Sequence, residues 1–139
     1  ARCFTFLGPR IPLDKHFLIG NFIKNFINQK KIIAKSKQQV IRSYMYWEDM
    51  VEWLLTIANI SSKECPIFNV GSDKELSIDN ILQTFKELGA ETQVRKNVIN
   101  DLDYYVPNID KAKLDLNLKI STDFKKNLIK TINDVKNNI

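Results

Sequence analysis

One arginine stands where its charge could bind an anion. Arg42 lies in the largely apolar stretch VIRSYMY, shortly before Glu48 and Asp49. A guanidinium keeps its charge when it is partly buried, and its planar fork can donate two parallel hydrogen bonds to a carboxylate or a phosphate. Judged from these residues alone, an ion pair between Arg42 and Glu48 or Asp49 is the favoured interpretation.

The residues that usually carry catalysis are sparse. His16 is the only histidine, so there is one candidate imidazole base and no cluster with the spacing of metal ligands. Glu48 and Asp49 are adjacent, so on a helix their carboxylates point in different directions and make a poor acid/base pair. The four glycines are too far apart for a phosphate-binding loop, and no tyrosine is followed by lysine four residues later. The sequence therefore predicts no catalytic, cofactor-binding or metal site within the chain.

Hydrophobic periodicity predicts alternating helices and strands. Helices are indicated at 15–28, 47–59, 77–89 and from 122 onward, with Ser77 as the cap and Gly89 as the end of the third. Strands are indicated at 31–35, 40–46 and 65–72, and 92–98 could be an edge strand. Residues 101–118 are predicted to be a loop that leads into a short helix. Because 65–89 has the order of half a βαβ unit, we predict a parallel sheet.

Two of these elements carry predictions about burial. The helix at 47–59 has its acidic residues in the first turn, where the helix dipole favours anions. Its buried residues are predicted to be Trp47, Met50, Val51, Leu54 and Leu55. Cys3 and Cys65 each lie in a short apolar run typical of a buried strand, so we predict two reduced core thiols rather than a disulfide.

The length and composition of the chain are those of one ordinary globular domain. The chain has 139 residues, 44% of them hydrophobic, and a formal net charge of +5. Its lysines are spread along the chain and cluster only at 30–37, which favours a solvated surface over a nucleic-acid partner. No apolar run is long enough to cross a bilayer, so we expect a soluble, cytoplasmic protein without a membrane partner. Because the sequence opens within a predicted strand, we expect a fragment of a longer polypeptide.

Four stretches resemble the extended short-chain dehydrogenases/reductases, the family of nucleotide-sugar epimerases and 4,6-dehydratases. RCFTFLGPR resembles a family strand and its glycine-proline turn, and VIRSYMYWEDMVEWLL resembles the segment with arginine, an aromatic residue and aspartate. IFNVGSDKELSIDNIL resembles the asparagine-valine-glycine turn with its helix, and YYVPNIDKAKLDLNLK resembles a late segment before a short helix. All four occur in the family's order and cover most of residues 1–120.

The resemblance implies a fold and a division of the chain. It implies an α/β fold, namely the C-terminal part of a Rossmann-type enzyme with a few parallel strands and a small helical substrate-binding lobe. Residues 1–10 and 65–90 would contribute strands and a helix to the Rossmann sheet, whereas 11–64 and 91–139 would form mostly the substrate lobe and the terminal helix. The intact relatives use NAD(P), but this fragment alone is expected to bind no cofactor and to be inactive.

The resemblance also assigns substrate-binding residues. Arg42 matches the family arginine that contacts the diphosphate of a nucleotide sugar, and with this pattern we favour phosphate as its partner. Asn69 matches the asparagine of the turn, where it could contact ligand or lock the turn. Lys15 matches a position near the nucleotide, and the alternative is a merely solvated lysine. Thr5 stands where many relatives have asparagine. The late ligand-binding arginine of the family has no clear counterpart here.

A second interpretation has no catalysis. Helices that would cover the Rossmann sheet could expose apolar patches, so the chain could be a self-associating interaction module, and in either case we expect a homodimer. The sequence does not choose among epimerase, dehydratase and reductase, that is, between isomerase and lyase chemistry.

Overall fold

The chain forms alternating helices and short strands. The computed structural model describes residues 1–13, 17–36, 38–96, 101–121 and 123–138. The strands are β1 (Arg2–Cys3), β2 (Phe6–Leu7), β3 (Ile32–Ser36), β4 (Gln39–Arg42), β5 (Met45–Tyr46), β6 (Asn69–Val70), β7 (Leu76–Ser77), β8 (Thr92–Lys96) and β9 (Leu102–Tyr105). The helices are α1 (Leu18–Ile27), α2 (Trp47–Asn59), α3 (Ile78–Glu87), α4 (Asp110–Leu116) and α5 (Phe124–Asn137).

Most strand pairs are parallel and join distant parts of the chain. β1 pairs with β6, β2 with β5, and β3 with β8, all in parallel. The remaining sheet has the order β7-β4-β9, in which β4 is antiparallel to β7 and parallel to β9. The predicted α/β class with parallel strands is therefore confirmed.

Two hydrophobic clusters hold these elements together. The larger contains buried residues of α1, β3, α3 and α5, where Phe22 and Phe85 meet edge to face at 6.0 Å between ring centroids. The smaller lies between α2, β5, β6 and α4 around the fully buried Trp53. Burial of such side chains stabilises the fold by about 1.5–3 kcal/mol for each large residue.

The third helix begins and ends as its sequence predicts. The Ser77 hydroxyl accepts a hydrogen bond from the Asn80 N–H at 3.1 Å, and the Asn80 side chain accepts one from the Ser77 N–H at 3.1 Å. This reciprocal pair is a capping box. At the other end Gly89 has φ +93°, a conformation that costs other residues steric strain.

The second helix has the predicted bounds, but its buried face was predicted wrongly. Trp47, Val51 and Leu55 are exposed, the last by 62%, whereas Trp53 is fully buried. The exposed residues are spaced four apart, so they form one apolar stripe along α2. Met50 and Leu54 are half-buried against the smaller cluster, as predicted.

Two other predictions were wrong or incomplete. Cys3 and Cys65 are free thiols but are exposed. Cys3 lies in β1, both residues of which are exposed, and Cys65 lies outside the strand, which is limited to Asn69–Val70. The stretch predicted as a loop contains the strand β9.

In the parts of the chain that the structure describes, no helix is long and apolar enough to span a bilayer.

Candidate functional site

The candidate site is built on the last residue of β4. Arg42 ends the central strand of the sheet β7-β4-β9, opposite Leu76 of β7 and Tyr105 of β9. Its side chain is 24% exposed, so the guanidinium is partly withdrawn from water but still reachable. The β4–β9 pairing brings together residues that are about sixty positions apart in sequence.

The guanidinium of Arg42 is held by its neighbours on β4 and β9. Nη1 donates hydrogen bonds to the Ile41 and Asp103 carbonyl oxygens, both at 2.9 Å. Nη2 donates to Asp103 Oδ2 at 2.5 Å and forms an ion pair with that carboxylate. An arginine held by main-chain carbonyls has a fixed orientation, which lowers the entropy cost of binding an anion.

The ion pair of Arg42 with Glu48 or Asp49 is absent from these contacts, and that interpretation was wrong. Glu48 lies 3.5 Å from the Lys130 ammonium. Asp49 is buried and accepts a hydrogen bond from the Ser121 hydroxyl at 2.5 Å. Both carboxylates belong to α2 and have these other partners instead of the guanidinium.

The charge of Arg42 changes the titration of its neighbours. Its hydrogen bond to Asp103 lowers the pKa of that carboxyl below its ordinary value, so Asp103 is ionised at neutral pH. Burial raises the pKa of Tyr44 to about 12, although the positive charge of Arg42 acts in the opposite direction. The site is thus a partly buried cation beside a carboxylate and a neutral phenol.

An aromatic surface lies beside the guanidinium. The Arg42 Cζ atom is 6.0 Å from the centroid of the Tyr105 ring, and the Phe4 and Tyr105 ring centroids are 4.9 Å apart. A Cβ atom at Gly71 would lie 2.9 Å from Pro107 Cγ and 3.0 Å from Phe4 Cβ, so only glycine allows this close approach. The turn after β6 and the end of β9 therefore pack against the segment between β1 and β2.

The other sequence-predicted residues are placed differently. The Asn69 amide donates a hydrogen bond to the Asn108 carbonyl oxygen at 2.8 Å, which ties β6 to the segment before α4. Thr5 is half-buried, and its carbonyl oxygen accepts from the Met45 N–H at 3.0 Å. Lys15 lies outside the described residues.

Residues next to the aromatic surface line an open depression of about 370 Å³. Its wall includes Asp73, Asp110 and Tyr104, and the Tyr104 hydroxyl donates to Glu75 Oε1 at 2.7 Å. Within the described ranges, no three His, Cys, Asp or Glu residues are grouped as metal ligands would be.

Sequence reasoning missed two residues of the site. Asp103 and Tyr105 lie in the stretch predicted as a loop, whereas they belong to β9. The dipeptide Tyr104-Tyr105 has high β propensity and was the available signal for a strand. Its pairing with β4 could not be deduced from local pattern, because strand register depends on packing between distant segments.

Comparison with known proteins finds UDP-glucuronic acid decarboxylases among the relatives. No family model matches the chain. UDP-glucuronic acid decarboxylase 1 of Arabidopsis thaliana is 28% identical over 142 aligned residues, which cover 100% of this chain and 32% of the relative. UDP-glucuronic acid decarboxylase 6 of the same plant is 30% identical over 116 residues, or 81% of this chain and 33% of the relative. The chain thus spans about a third of the length of these curated relatives.

Solved structures share the fold. UDP-glucose 4-epimerase of Thermotoga maritima, solved with UDP-glucose, superposes with a TM-score of 0.83 at 17% identity. UDP-glucuronic acid 4-epimerase of Bacillus cereus, solved with UDP-glucuronic acid and NAD, gives 0.77 at 20% identity. Each match covers 99% of this chain and 45% of the other. A dTDP-glucose 4,6-dehydratase of Bacillus anthracis, solved with NAD, gives 0.80 at 18% identity, and the match covers 99% of this chain and 44% of the other.

The curated relatives and the shared fold agree with the resemblance that four stretches of the sequence indicate. The matches cover 81–100% of this chain but less than half of each relative. The predicted resemblance is confirmed: this chain is related to part of the extended short-chain dehydrogenases/reductases, the family of nucleotide-sugar epimerases and dehydratases.

Proposed function

We propose that this chain binds the diphosphate of a nucleotide sugar as part of an NAD(P)-dependent enzyme. The single observation that supports this most strongly is the guanidinium of Arg42, which is partly buried, fixed by two main-chain carbonyls and still 24% exposed. Its position in the sequence also matches the family arginine that contacts the diphosphate. A UDP-linked sugar is the first candidate ligand, because the curated relatives are UDP-glucuronic acid decarboxylases.

The chemistry of the guanidinium suits this role. The Arg42 guanidinium has five N–H donors. Three hydrogen bonds from them go to described residues. The others can donate to phosphate oxygens, and hydrogen bonds of this charge-assisted type are about twice as strong as neutral ones. The Tyr105 ring beside Arg42 shields one side of the guanidinium from water, which strengthens its attraction for an anion.

The other predicted residues have supporting roles in this proposal. Asn69 holds the segment before α4 through Asn108 and so shapes the wall beside the ligand, rather than touching it. Thr5 offers its hydroxyl, and Lys15 its ammonium, to the nucleotide or the sugar.

The proposal divides the chain as its resemblance implies. Residues 1–10 and 65–90 contribute to a larger Rossmann sheet, and 11–64 and 91–139 form the lobe that holds the substrate. The parallel pair β1–β6 supports this, because Arg2 and Cys3 are exposed there, whereas parallel sheets are normally covered on both faces. In the whole, cytoplasmic enzyme, binding energy from the nucleotide would hold the sugar for the redox chemistry that NAD(P) supplies.

Calorimetric titration of the protein expressed from its complete reading frame tests this proposal. UDP-, dTDP-, GDP- and CDP-sugars would be compared, with UDP-glucuronic acid and UDP-glucose among them. Arg42→Ala should weaken binding of the preferred ligand by about 1.5–3 kcal/mol, the range for hydrogen bonds to a charged group.

Arg95→Ala is the matched control, because it removes the same charge from an exposed position on β8. Equal affinity in the wild type and Arg42→Ala, with both folded, would contradict the assignment of Arg42. Sequencing of the flanking reading frame adds a second test, since a glycine-rich βαβ unit and a tyrosine-x-x-x-lysine motif are expected upstream.

A second candidate function is self-association without catalysis. The specific observation in its favour is the exposed stripe of Trp47, Val51 and Leu55 on α2, which water contacts in the isolated chain. A two-fold dimer could bury this stripe against its own copy. In sedimentation equilibrium, Leu55→Glu should then abolish the dimer, whereas Leu114→Glu, on a residue 81% exposed in α4, should not. A monomer at all concentrations would remove this candidate.

A further inference from the structure

The two terminal nitrogens of Arg42 have partners of different kinds. Nη1 donates only to main-chain oxygens in the described contacts, those of Ile41 and Asp103. These carbonyls belong to the paired strands β4 and β9, so their positions are fixed by the backbone. Nη2 donates to the Asp103 carboxylate, which is on a side chain and can rotate away.

The Asp103 carboxylate contacts the Arg42 guanidinium as the phosphate of a ligand would. Like any aspartate with an ordinary pKa it is ionised at neutral pH, and the hydrogen bond from Arg42 lowers its pKa further. It offers the same acceptor chemistry as a phosphate oxygen, at a hydrogen-bond distance of 2.5 Å. Its side chain is 38% exposed, so it can turn toward water at little cost. Gln38 also hydrogen-bonds this carboxylate and gives it a partner near β4.

We propose that the Asp103 carboxylate occupies the place of the ligand's phosphate at Arg42 Nη2, and that binding exchanges one anion for the other. This inference rests on the proposed function of Arg42. Asp103 thereby acts as a positioning residue: it holds the guanidinium in the direction of the ligand while the site is empty. The exchange lowers apparent affinity, because only the fraction of molecules with a released carboxylate can bind.

The consequence differs between ligands. A ligand whose phosphate takes the place of the carboxylate at Nη2 must displace Asp103 there, so its affinity is reduced by the exchange. Uridine has no phosphate and therefore does not bind at Nη2. Asp103 accordingly does not change the affinity of the protein for uridine. A merely structural role of Asp103 would instead affect both ligands in the same direction.

Calorimetry with UDP and with uridine tests the exchange on the protein from its complete reading frame. Asp103→Asn keeps the main-chain contact to Nη1 and removes the competing charge, so UDP should bind about threefold to tenfold more tightly. Uridine affinity should stay as in the wild type. Asp103→Ser is a second variant of the same kind, in case the asparagine amide forms new contacts. Weaker or equal UDP binding in both folded variants would overturn the proposal.

Two further variants separate this inference from the function on which it rests. Asp101→Asn removes an acidic charge two residues away without removing a contact to Arg42, so equal tightening of UDP there would show a general charge effect and overturn the exchange. In an Arg42→Ala background, Asp103→Asn should have no effect on UDP affinity. If Arg42→Ala itself leaves UDP binding unchanged, the proposed function fails; if it weakens binding but Asp103→Asn does not strengthen it, only the exchange fails.

Discussion

Two adjacent carboxylates at the start of α2 should differ strongly in their effect on stability. Asp49 is only 2% exposed, and it accepts hydrogen bonds from the Ser121 hydroxyl at 2.5 Å and the Ser121 N–H at 3.3 Å. The Glu48 side chain is 52% exposed and lies 3.5 Å from the Lys130 ammonium. Both lie in the first turn of α2, so the variants Asp49→Asn and Glu48→Gln lose a similar interaction with the helix dipole.

The expected loss of unfolding free energy follows from the hydrogen bonds that Asp49 makes and Glu48 does not. Asp49→Asn replaces a charged acceptor by an amide whose NH₂ group faces the donors of Ser121. Hydrogen bonds to charged groups contribute about 1.5–3 kcal/mol, so this variant should lose about 2–3 kcal/mol of unfolding free energy. Exposed ion pairs contribute about 0–1 kcal/mol, so Glu48→Gln should lose less than about 1 kcal/mol.

Urea denaturation, followed by tryptophan fluorescence, measures the difference. Trp53 is buried in the same helix, and its indole N–H donates to the Lys119 carbonyl oxygen at 3.2 Å, so its emission reports on the contact between α2 and the segment before α5. With unchanged denaturant slopes, the shift in midpoint gives the change in unfolding free energy. Equal midpoints for the two variants would refute the reasoning, because the buried contact would then contribute nothing.

Two other predictions concern α3 and Tyr44. Ser77→Ala removes the capping box of α3 and should lower the unfolding free energy by about 1 kcal/mol in urea, whereas no change would show that the cap is not needed. The pKa of Tyr44 is raised from 10.0 to about 12, so its contribution to stability is fully present below pH 10 and is lost as the pH rises through about 12. A difference titration of tyrosinate absorbance between the wild type and Tyr44→Phe should show one phenol ionising near pH 12, and ionisation near pH 10 would contradict its burial.

Helix α2 shows what local sequence can and cannot predict. Its bounds were predicted because an acidic first turn and regular apolar spacing both mark a helix. Its buried face was not predicted correctly, because α2 carries apolar residues on two sides. Trp53 faces the smaller cluster, whereas Trp47 and Val51 face outward. Periodicity alone cannot tell which side other elements cover.

The candidate site around Arg42 was likewise predicted only in part. Arg42 was found from its residue type and its place in a family pattern, but its partner Asp103 was assigned to a loop. The contact depends on the parallel pairing of β4 with β9, in which Arg42 lies opposite Tyr105. Such a pairing is decided by packing between segments about sixty residues apart, and no local signal in either segment fixes the register.

A crystal structure of the protein from its complete reading frame with UDP-glucuronic acid would test the central claim most directly. We predict a diphosphate oxygen within hydrogen-bond distance of Arg42 Nη2, the Nη1 contacts to Ile41 and Asp103 carbonyls retained, and the Asp103 carboxylate turned away. An ordered diphosphate bound elsewhere, with the ion pair of Arg42 and Asp103 intact, would contradict the account.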